Sequence, residues 1–321
     1  MTAVLFTCAG MRADIVDAFN DAGATTVAVD IDPLAPALHR AHRHELVPLV
    51  DDPEYVPRLT KLVREHDVAL VISFSDVDHL VLPQDRARIG ATVLLPDAEV
   101  VQRIRDKYAA HVAFEERGVP SPPTWLPADV PDDVDFPVLV KAREGFGSRH
   151  IYRANDRREL EFFLEYTPVP SMVQQCCSGE EFSIDVLCDL DGRCLNAIPR
   201  TMIESRGGES IKGMTVKDDE LIEFGRVVAE SLPLKGPGTI QCFREPDGTR
   251  PVTDVNARFG GAFPLPLAAG SRYPELCLAL ARGEHVEPRL GEFREGVVMT
   301  RFLSQLVLTQ NGEGRVTRVP S

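Results

Sequence analysis

The 321-residue sequence contains no apolar run approaching the roughly 18 residues that cross a bilayer. Its opening, MTAVLFTCAGMR, is too short and too lightly basic for a secretory signal, so the expectation is a cytoplasmic protein without a membrane partner. Positive charge is scarce: 35 Lys and Arg stand against 49 Asp and Glu, a net charge of −14. That balance excludes an extended nucleic-acid face, which needs Lys and Arg to neutralise phosphates, and leaves room only for a local basic pocket. The seven cysteines are odd in number and scattered, with no C-x-x-C and no His/Cys cluster of zinc spacing, so they read as free thiols. The adjacent pair Cys176 and Cys177 reads as packing. Internal repeats and low-complexity segments are also missing.

What is present suits packed enzyme architecture. Hydrophobic residues make up 44% and charged residues 26%, and the length predicts two or three lobes. Strand VLFT, the turn Cys8-Ala9-Gly10, a helix with Ile15, Phe19 and Ala22 at helical spacing, and strand TTVAVDIDP form a βαβ unit. A helix carrying Tyr55, Leu59, Leu62 and His66, strand DVALVISFS and strand ATVLLP extend it, so residues 1–98 form a Rossmann-like α/β lobe. Asp30 and Asp32 lie where a dinucleotide-binding acid would stand. The single glycine of CAGMR cannot fill the three roles of G-x-G-x-x-G, which argues against a dinucleotide site.

One helix is predicted from Asp97 to Arg117, with Val101, Ile104, Tyr108 and Val112 on one face and Gly118 closing it. The loop VPSPPTWLPADVPDDVDFP has six prolines and reads as a stiff connection without helix or strand. Beyond it, strand PVLVKA, a glycine loop, a helix around Leu160, Phe163 and Leu164, strand SMVQQCC and alternating strand EFSIDVLCD form a small unit able to move over a cleft. A hairpin follows, its strands GTIQCF and RPVTDVNAR joined across Pro246-Asp247-Gly248.

Four segments carry candidate chemistry. In KAREGFGSRH a strand delivers Lys141 to a loop whose Gly145 and Gly147 let backbone N–H groups approach phosphates beside Ser148; a plain hairpin turn would have the same composition. It is no Walker loop, since no G-K-[ST] ends it. In TDVNARFGG, Asp254, Asn256 and Arg258 alternate along a strand and share a face, and the tight hairpin brings Gln241 beside Asp254. Such carboxylate and amide oxygens suit magnesium, and Arg258 suits a phosphoryl group. In QQCCSGEEFSID, groups near Gln175 and Cys176 can read the edge of a planar base while Glu181 accepts from sugar hydroxyls. In PRTMIESRGGESIKGMTV, Arg200, Arg206 and Lys212 sit among glycines in what reads as a mobile basic loop able to cover anionic groups or, equally, as an ordinary exposed loop. Ser75, Asp76 and Asp78 end a parallel strand, where α/β sheets bind ligands, and read either as holders of a substrate ammonium or as helix caps.

Taken in order, RDK, FPVLVKAREGFGS, VQQCCSGEEFSIDVL, ESRGGESIKGMTVKD and GPGTIQCF…VTDVNARFGGAFPLPLAAG resemble the ATP-grasp superfamily. The resemblance is to its carbamoyl-phosphate-synthase-like and pyrrolysine-ligase-like branch, and it runs over nearly the whole chain. It implies a Rossmann-like lobe over 1–98 followed by a two-lobed α+β ATP-grasp fold over 99–321, with a mobile lid over about 121–178. It implies that Lys107 and Lys141 contact ATP phosphates, that Gln174, Gln175 and Cys176 line the adenine hinge, and that Glu181 holds ribose. Asp254 and Asn256, with Gln241 beside them, would hold Mg2+, with Mn2+ as the alternative. Arg258 would meet the γ-phosphate, and Arg206 and Lys212 would sit near substrate. The sequence departs from the family, which usually has Glu at Asp254 and often an acid at Gln241, so one carboxylate remains in the metal set.

The activity so implied is ATP-dependent joining of a small carboxylate, such as an amino acid, to an amine through an acyl phosphate. Phosphorylation of carbamate or bicarbonate is the second reading, and a non-catalytic ATP-binding sensor the third. A homodimer is the commonest assembly for soluble oligomers.

Overall fold

The protein is described here from a computed structural model over residues 1–145, 150–207, 209–311 and 316–319. The first lobe is a five-stranded parallel sheet of β1 (Ala3–Thr7), β2 (Thr25–Asp30), β3 (Arg43–Leu46), β4 (Val68–Ser73) and β5 (Thr92–Val93), in the order β3-β2-β1-β4-β5. Strand β1 is buried along its whole length because helices cover both faces. Val4 and Phe6 pack with Ile15 and Phe19 of α1 (Ala13–Asp21), while Leu5 packs on the other face with Leu59 and Leu62 of α2 (Tyr55–Glu65). Edge strand β3 is RHEL, a polar segment without alternation that sequence reasoning passed over. After the short α3 (Arg86–Ile89), the single helix expected over 97–117 is two, α4 (Ala98–Arg105) and α5 (Lys107–Glu116). The break is at Asp106, whose backbone is extended and whose carboxylate caps α5 by accepting from the N–H groups of Tyr108 and Ala109. Val112, expected on the buried face, is exposed as a result.

A small antiparallel sheet follows in the order β6-β9-β7-β8, from β6 (Thr124–Trp125), β7 (Val138–Ala142), β8 (Ile151–Ala154) and β9 (Ser171–Gln175), with α6 (Arg157–Tyr166) against it. It has its own core, centred on Val138, Val140, Leu160 and Val173. The proline-rich loop therefore does contribute a strand, the two residues of β6, which pair at the edge with β9.

The strand EFSIDVLC, expected with that unit, belongs instead to the larger sheet as β10 (Glu180–Cys188). That sheet is antiparallel in the order β11-β10-β14-β15, with β11 (Cys194–Thr201), β14 (Gly236–Arg244) and β15 (Val252–Asn256). Phe182, Ile184, Ile240, Cys242 and Val255 face the core, where α7 (Asp219–Ser231) lies against the sheet. Gly225 of α7 makes this approach feasible, since a Cβ there would stand 2.6 Å from Ile184 Cγ2. The alternate residues, Ser183, Arg200, Gln241 and Asp254, share the opposite face because their positions pair across the ladders.

Strands β12 (Glu204–Arg206), β13 (Glu209–Met214) and β16 (Val298–Thr300) form a third sheet beside it. Helices α8 (Pro264–Ala269) and α9 (Tyr273–Ala281) complete the core, and β17 (Leu308–Gln310) and β18 (Val316–Arg318) pair near the end of the chain. The first lobe is fused to the large sheet by one apolar cluster running from Val4 and Phe19 through Phe259 to Ile184 and Ile240. The rings of Phe19 and Phe259 meet edge to face at 6.4 Å. Among the described residues, no helix is long and apolar enough to cross a membrane.

Candidate active site

The polar face of the large sheet, the small sheet above it and the strand ends of the first lobe enclose a cleft of about 1010 Å3. Seven basic side chains line it against three acidic ones. In a chain of net charge −14 this reversal needs a local cause, and a polyanionic ligand supplies one.

At the upper wall, β7 carries Lys141 into the cleft, and the lysine is almost fully buried. Its Nζ donates to Gln174 Oε1 at 2.7 Å, and Gln174 Nε2 donates to Thr124 Oγ1 at 3.0 Å. Burial pushes the Lys141 ammonium below its ordinary range, although Asp254 opposes the shift. The break before α5 sets Lys107 at the cleft, where its Nζ donates to the carbonyl of Gly145 at 3.1 Å and lies 3.9 Å from Asp254 Oδ1. Arg143 holds the break by pairing with Asp106 through two N–H groups. Gly147 and Ser148 lie outside the described residues.

On the facing sheet, Gln241 stands directly opposite Asp254 in the β14–β15 ladder, as the hairpin spacing predicts. Asn256 donates through Nδ2 to Asp254 Oδ2 at 3.3 Å, and its Oδ1 accepts from Arg258 Nη2 at 3.2 Å. One carboxylate and two amide side chains therefore line the cleft beside Lys107, Asn256 turning its Nδ2 to Asp254 and its Oδ1 to Arg258. No cluster of three His, Cys, Asp or Glu side chains suited to a metal exists among the described residues. Magnesium still fits this set, because it takes hard oxygens, often through one carboxylate, and keeps waters and substrate phosphates in its shell.

The expected hinge residues Gln174, Gln175 and Cys176 all line the cleft. The amide of Gln174 is committed to Lys141 and Thr124, and that of Gln175 donates to the carbonyls of Asp135 and Pro137, so both brace the small sheet. Cys176 and Cys177 are half-buried and line the cleft instead of filling a core. Burial raises both thiols, Cys177 to about 12, so they are poor nucleophiles. Burial also raises the half-buried carboxyl of Glu181, which lines the same end.

Three expected substrate groups stand away from the cleft. Asp78 is fully buried and accepts from Tyr55 Oη at 2.9 Å and Ser73 Oγ at 2.5 Å, which makes it an internal brace for the first lobe. Arg206 is exposed and pairs with Glu204, and Lys212 pairs with the same carboxylate at 2.7 Å, the two standing on the paired strands β12 and β13. Ser75 and Asp76 do line the cleft. Asp76, however, is engaged by Arg258 Nε at 3.2 Å, across 182 residues of sequence. Burial pushes its carboxyl upward, but Arg258, with His79 and Arg105, outweighs that and holds it below the usual range.

Sequence reasoning missed Arg12 and Arg301, which line the cleft, and put Arg200 in a mobile loop, whereas it stands on β11. Alternation along CLNAIPRT was the available signal that Arg200 stands on a strand; nothing local marked Arg12 or Arg301. Asp30, weighed for a dinucleotide ribose, is spent on the turn, accepting from the N–H groups of Gly10 and Asp32.

Two α+β lobes closing on a basic cleft, with a lysine on each side and an oxygen-rich strand below, define a nucleotide-grasping fold. Residues 4–94 match the family model of the PylC-like N-terminal domain, and residues 167–303 match that of ATP-grasp in the biosynthetic pathway with Ter operon. The ATP-grasp match thus falls on the segment that carries the large sheet and the cleft floor. No curated protein matches it. Among solved structures it is similar to the biotin carboxylase domain of Hydrogenobacter thermophilus 2-oxoglutarate carboxylase, determined with MgADP, ADP and bicarbonate; the TM-score is 0.73 at 17% identity, over 92% of this chain and 73% of that one. N5-carboxyaminoimidazole ribonucleotide synthetase from Thermotoga maritima gives 0.71 at 17%, over 97% and 82%. L-amino acid ligase from Bacillus licheniformis gives 0.70 at 18%, over 92% and 78%. These likenesses establish the fold.

Proposed function

We propose that the protein is an ATP-dependent carboxylate–amine ligase that works through an acyl phosphate. The observation that carries the reading is the basic cleft in an acidic chain, with Lys107 and Lys141 converging on Asp254 and Asn256. The three solved relatives named above are consistent with ligation, one of them being an L-amino acid ligase.

In this reading the base of ATP lies between the small sheet and the Cys176–Glu181 segment, and Lys141 and Lys107 direct the triphosphate toward β15. Asp254, with the amide oxygens of Asn256 and Gln241, would hold magnesium, which supplies charge neutralisation at the transferring phosphoryl group. The acid's carboxylate oxygen attacks the γ-phosphorus and ADP leaves. Arg258 offers a guanidinium to the developing charge, and the amine then attacks the acyl carbon while phosphate departs with the oxygen from the acid. Because the small sheet has its own core, it can close as a unit and keep water from the acyl phosphate. The acid and the amine enter from the first lobe, beside Ser75, and the protein acts in the cytoplasm.

The test is an ADP-release screen over paired small carboxylates and amines, with hydroxylamine as trap. A hydroxamate formed with the right acid and lost in Asp254→Ala supports the proposal. ADP release with no trappable acyl group in any pairing refutes it.

A further inference from the structure

We propose that the acid handled by this cleft carries a second anionic group, a carboxylate or a phosphate, received by Arg200 and Ser210 on the β11 side of the large sheet. That the ligand is an acid rests on the ligase reading; the anion site itself stands on separate observations.

Arg200 lies on β11, the outer strand of the sheet, on the same face as Gln241 and Asp254. It is 3% exposed yet lines the cleft. Its Nε donates to Asp185 Oδ2 at 2.7 Å, and Asp185 Oδ1 accepts from Thr239 Oγ1 at 3.0 Å. Nη1 is buried and has no partner. The hydroxyl of Ser210 on β13, 4% exposed and also lining the cleft, has none either. Buried donors left unpaired are costly, and two lining one cleft mark a place where a ligand's oxygens complete the bonding.

The neighbouring guanidiniums are built alike. Asp14 holds Arg12 through Nε and Nη2, at 3.0 and 2.9 Å, and Asp76 holds Arg258 at 3.2 Å. Each is thereby fixed before any ligand arrives, as an anion site requires. The backbone leaves space there. Gly260 crosses so close that a Cβ would stand 2.6 Å from Thr239 Oγ1 and 2.8 Å from Asp185 Oδ1, whereas a Cβ on Gly261 would meet nothing within 4 Å.

At the backbone Arg200 is three strands from β15, about 14 Å at the usual spacing of about 4.8 Å, and Asp185 holds its guanidinium on β10, whereas Asp254 faces Lys107. The anion at Arg200 is therefore assigned as a group separate from the reacting carboxylate, and the butyrate arm below tests that assignment.

The test is calorimetric titration of the full chain, with and without MgADP, using succinate, O-phosphoserine and, as the singly charged four-carbon control, butyrate. Arg200→Gln and Ser210→Ala are compared with the unmodified protein. The double variant Arg200→Gln/Asp185→Asn removes both charges, for the case in which a stranded Asp185 unfolds the single variant. The expected result is at least tenfold tighter binding of a dianion than of butyrate, an advantage lost in the Arg200 variants while MgADP binds undiminished. Preference for succinate assigns a second carboxylate, and preference for O-phosphoserine a phosphate. Equal binding of dianions and butyrate, including no binding of either, overturns the proposal, as does an advantage that survives without Arg200. Loss of MgADP binding by the unmodified protein with the dianion advantage intact would overturn the ligase reading and leave the anion site standing.

Discussion

Replacing Asp76 with Asn keeps the shape of the side chain and removes the charge that faces Arg258. The two groups are 3.2 Å apart, and their side chains are 20% and 22% exposed. At an effective dielectric of about 20 the attraction is roughly 5 kcal/mol before desolvation. Exposed pairs net about 0–1 kcal/mol, and breaking a buried pair costs about 3–5 kcal/mol, so a half-buried pair should couple by about 2 kcal/mol. The assay is a double-mutant cycle with Asp76→Asn and Arg258→Gln, read from denaturant midpoints with and without MgADP. Arg105 reaches Asp76 through its main-chain carbonyl, a contact the substitution leaves in place. The pH dependence follows from the same pair. The folded carboxyl titrates below its unfolded value, so its contribution is complete above the ordinary carboxylate pKa of about 4 and is lost as pH falls through the lower, folded value. Asp76→Asn should flatten that acid limb. A coupling under about 0.3 kcal/mol, or an unchanged acid limb, would show that Arg258 is positioned by something other than Asp76.

Gln241→Glu places a second carboxylate opposite Asp254, which should lower the Mg2+ concentration for half-maximal ADP release at least tenfold while lowering stability without metal by about 0.5–1 kcal/mol. Lys141→Met removes a buried cation but strands Gln174 Oε1; the two effects offset, so unliganded stability should shift by less than about 2 kcal/mol while the nucleotide-induced rise in melting temperature disappears. Gly225→Ala should cost about 1–3 kcal/mol in chemical denaturation, because the added Cβ presses on Ile184, and should leave nucleotide affinity unaltered.

What was legible in the sequence depended on local periodicity. The alternation of TDVNAR and the tight turn before it fix the Asp254–Gln241 pairing, and PVLVKA delivers Lys141 because a strand must alternate. Asp106 was hidden because the 3.6-residue spacing of Val101, Ile104 and Tyr108 runs straight through it, and only its cap and the Arg143 pair reveal the break. The roles of Asp76 and Gln174 were unreadable because their partners, Arg258 and Lys141, lie 182 and 33 residues away. Arg206 and Lys212 looked mobile among glycines, whereas Glu204 draws both charges away from the cleft. Arg12 sits just past the turn after β1, and its place at the cleft comes only from docking of the first lobe on the segment carrying Phe259, whose carbonyl accepts from it at 3.3 Å.

The central claim is that an oxygen of the acid becomes bonded to the γ-phosphorus of ATP. It is tested most directly by turning over an acid labelled with 18O in its carboxylate, in the pairing that supports ADP release, and reading the phosphate by 31P NMR. The account predicts one 18O atom carried into each inorganic phosphate released. ADP formation with unlabelled phosphate would mean that water takes the phosphoryl group, and would contradict it.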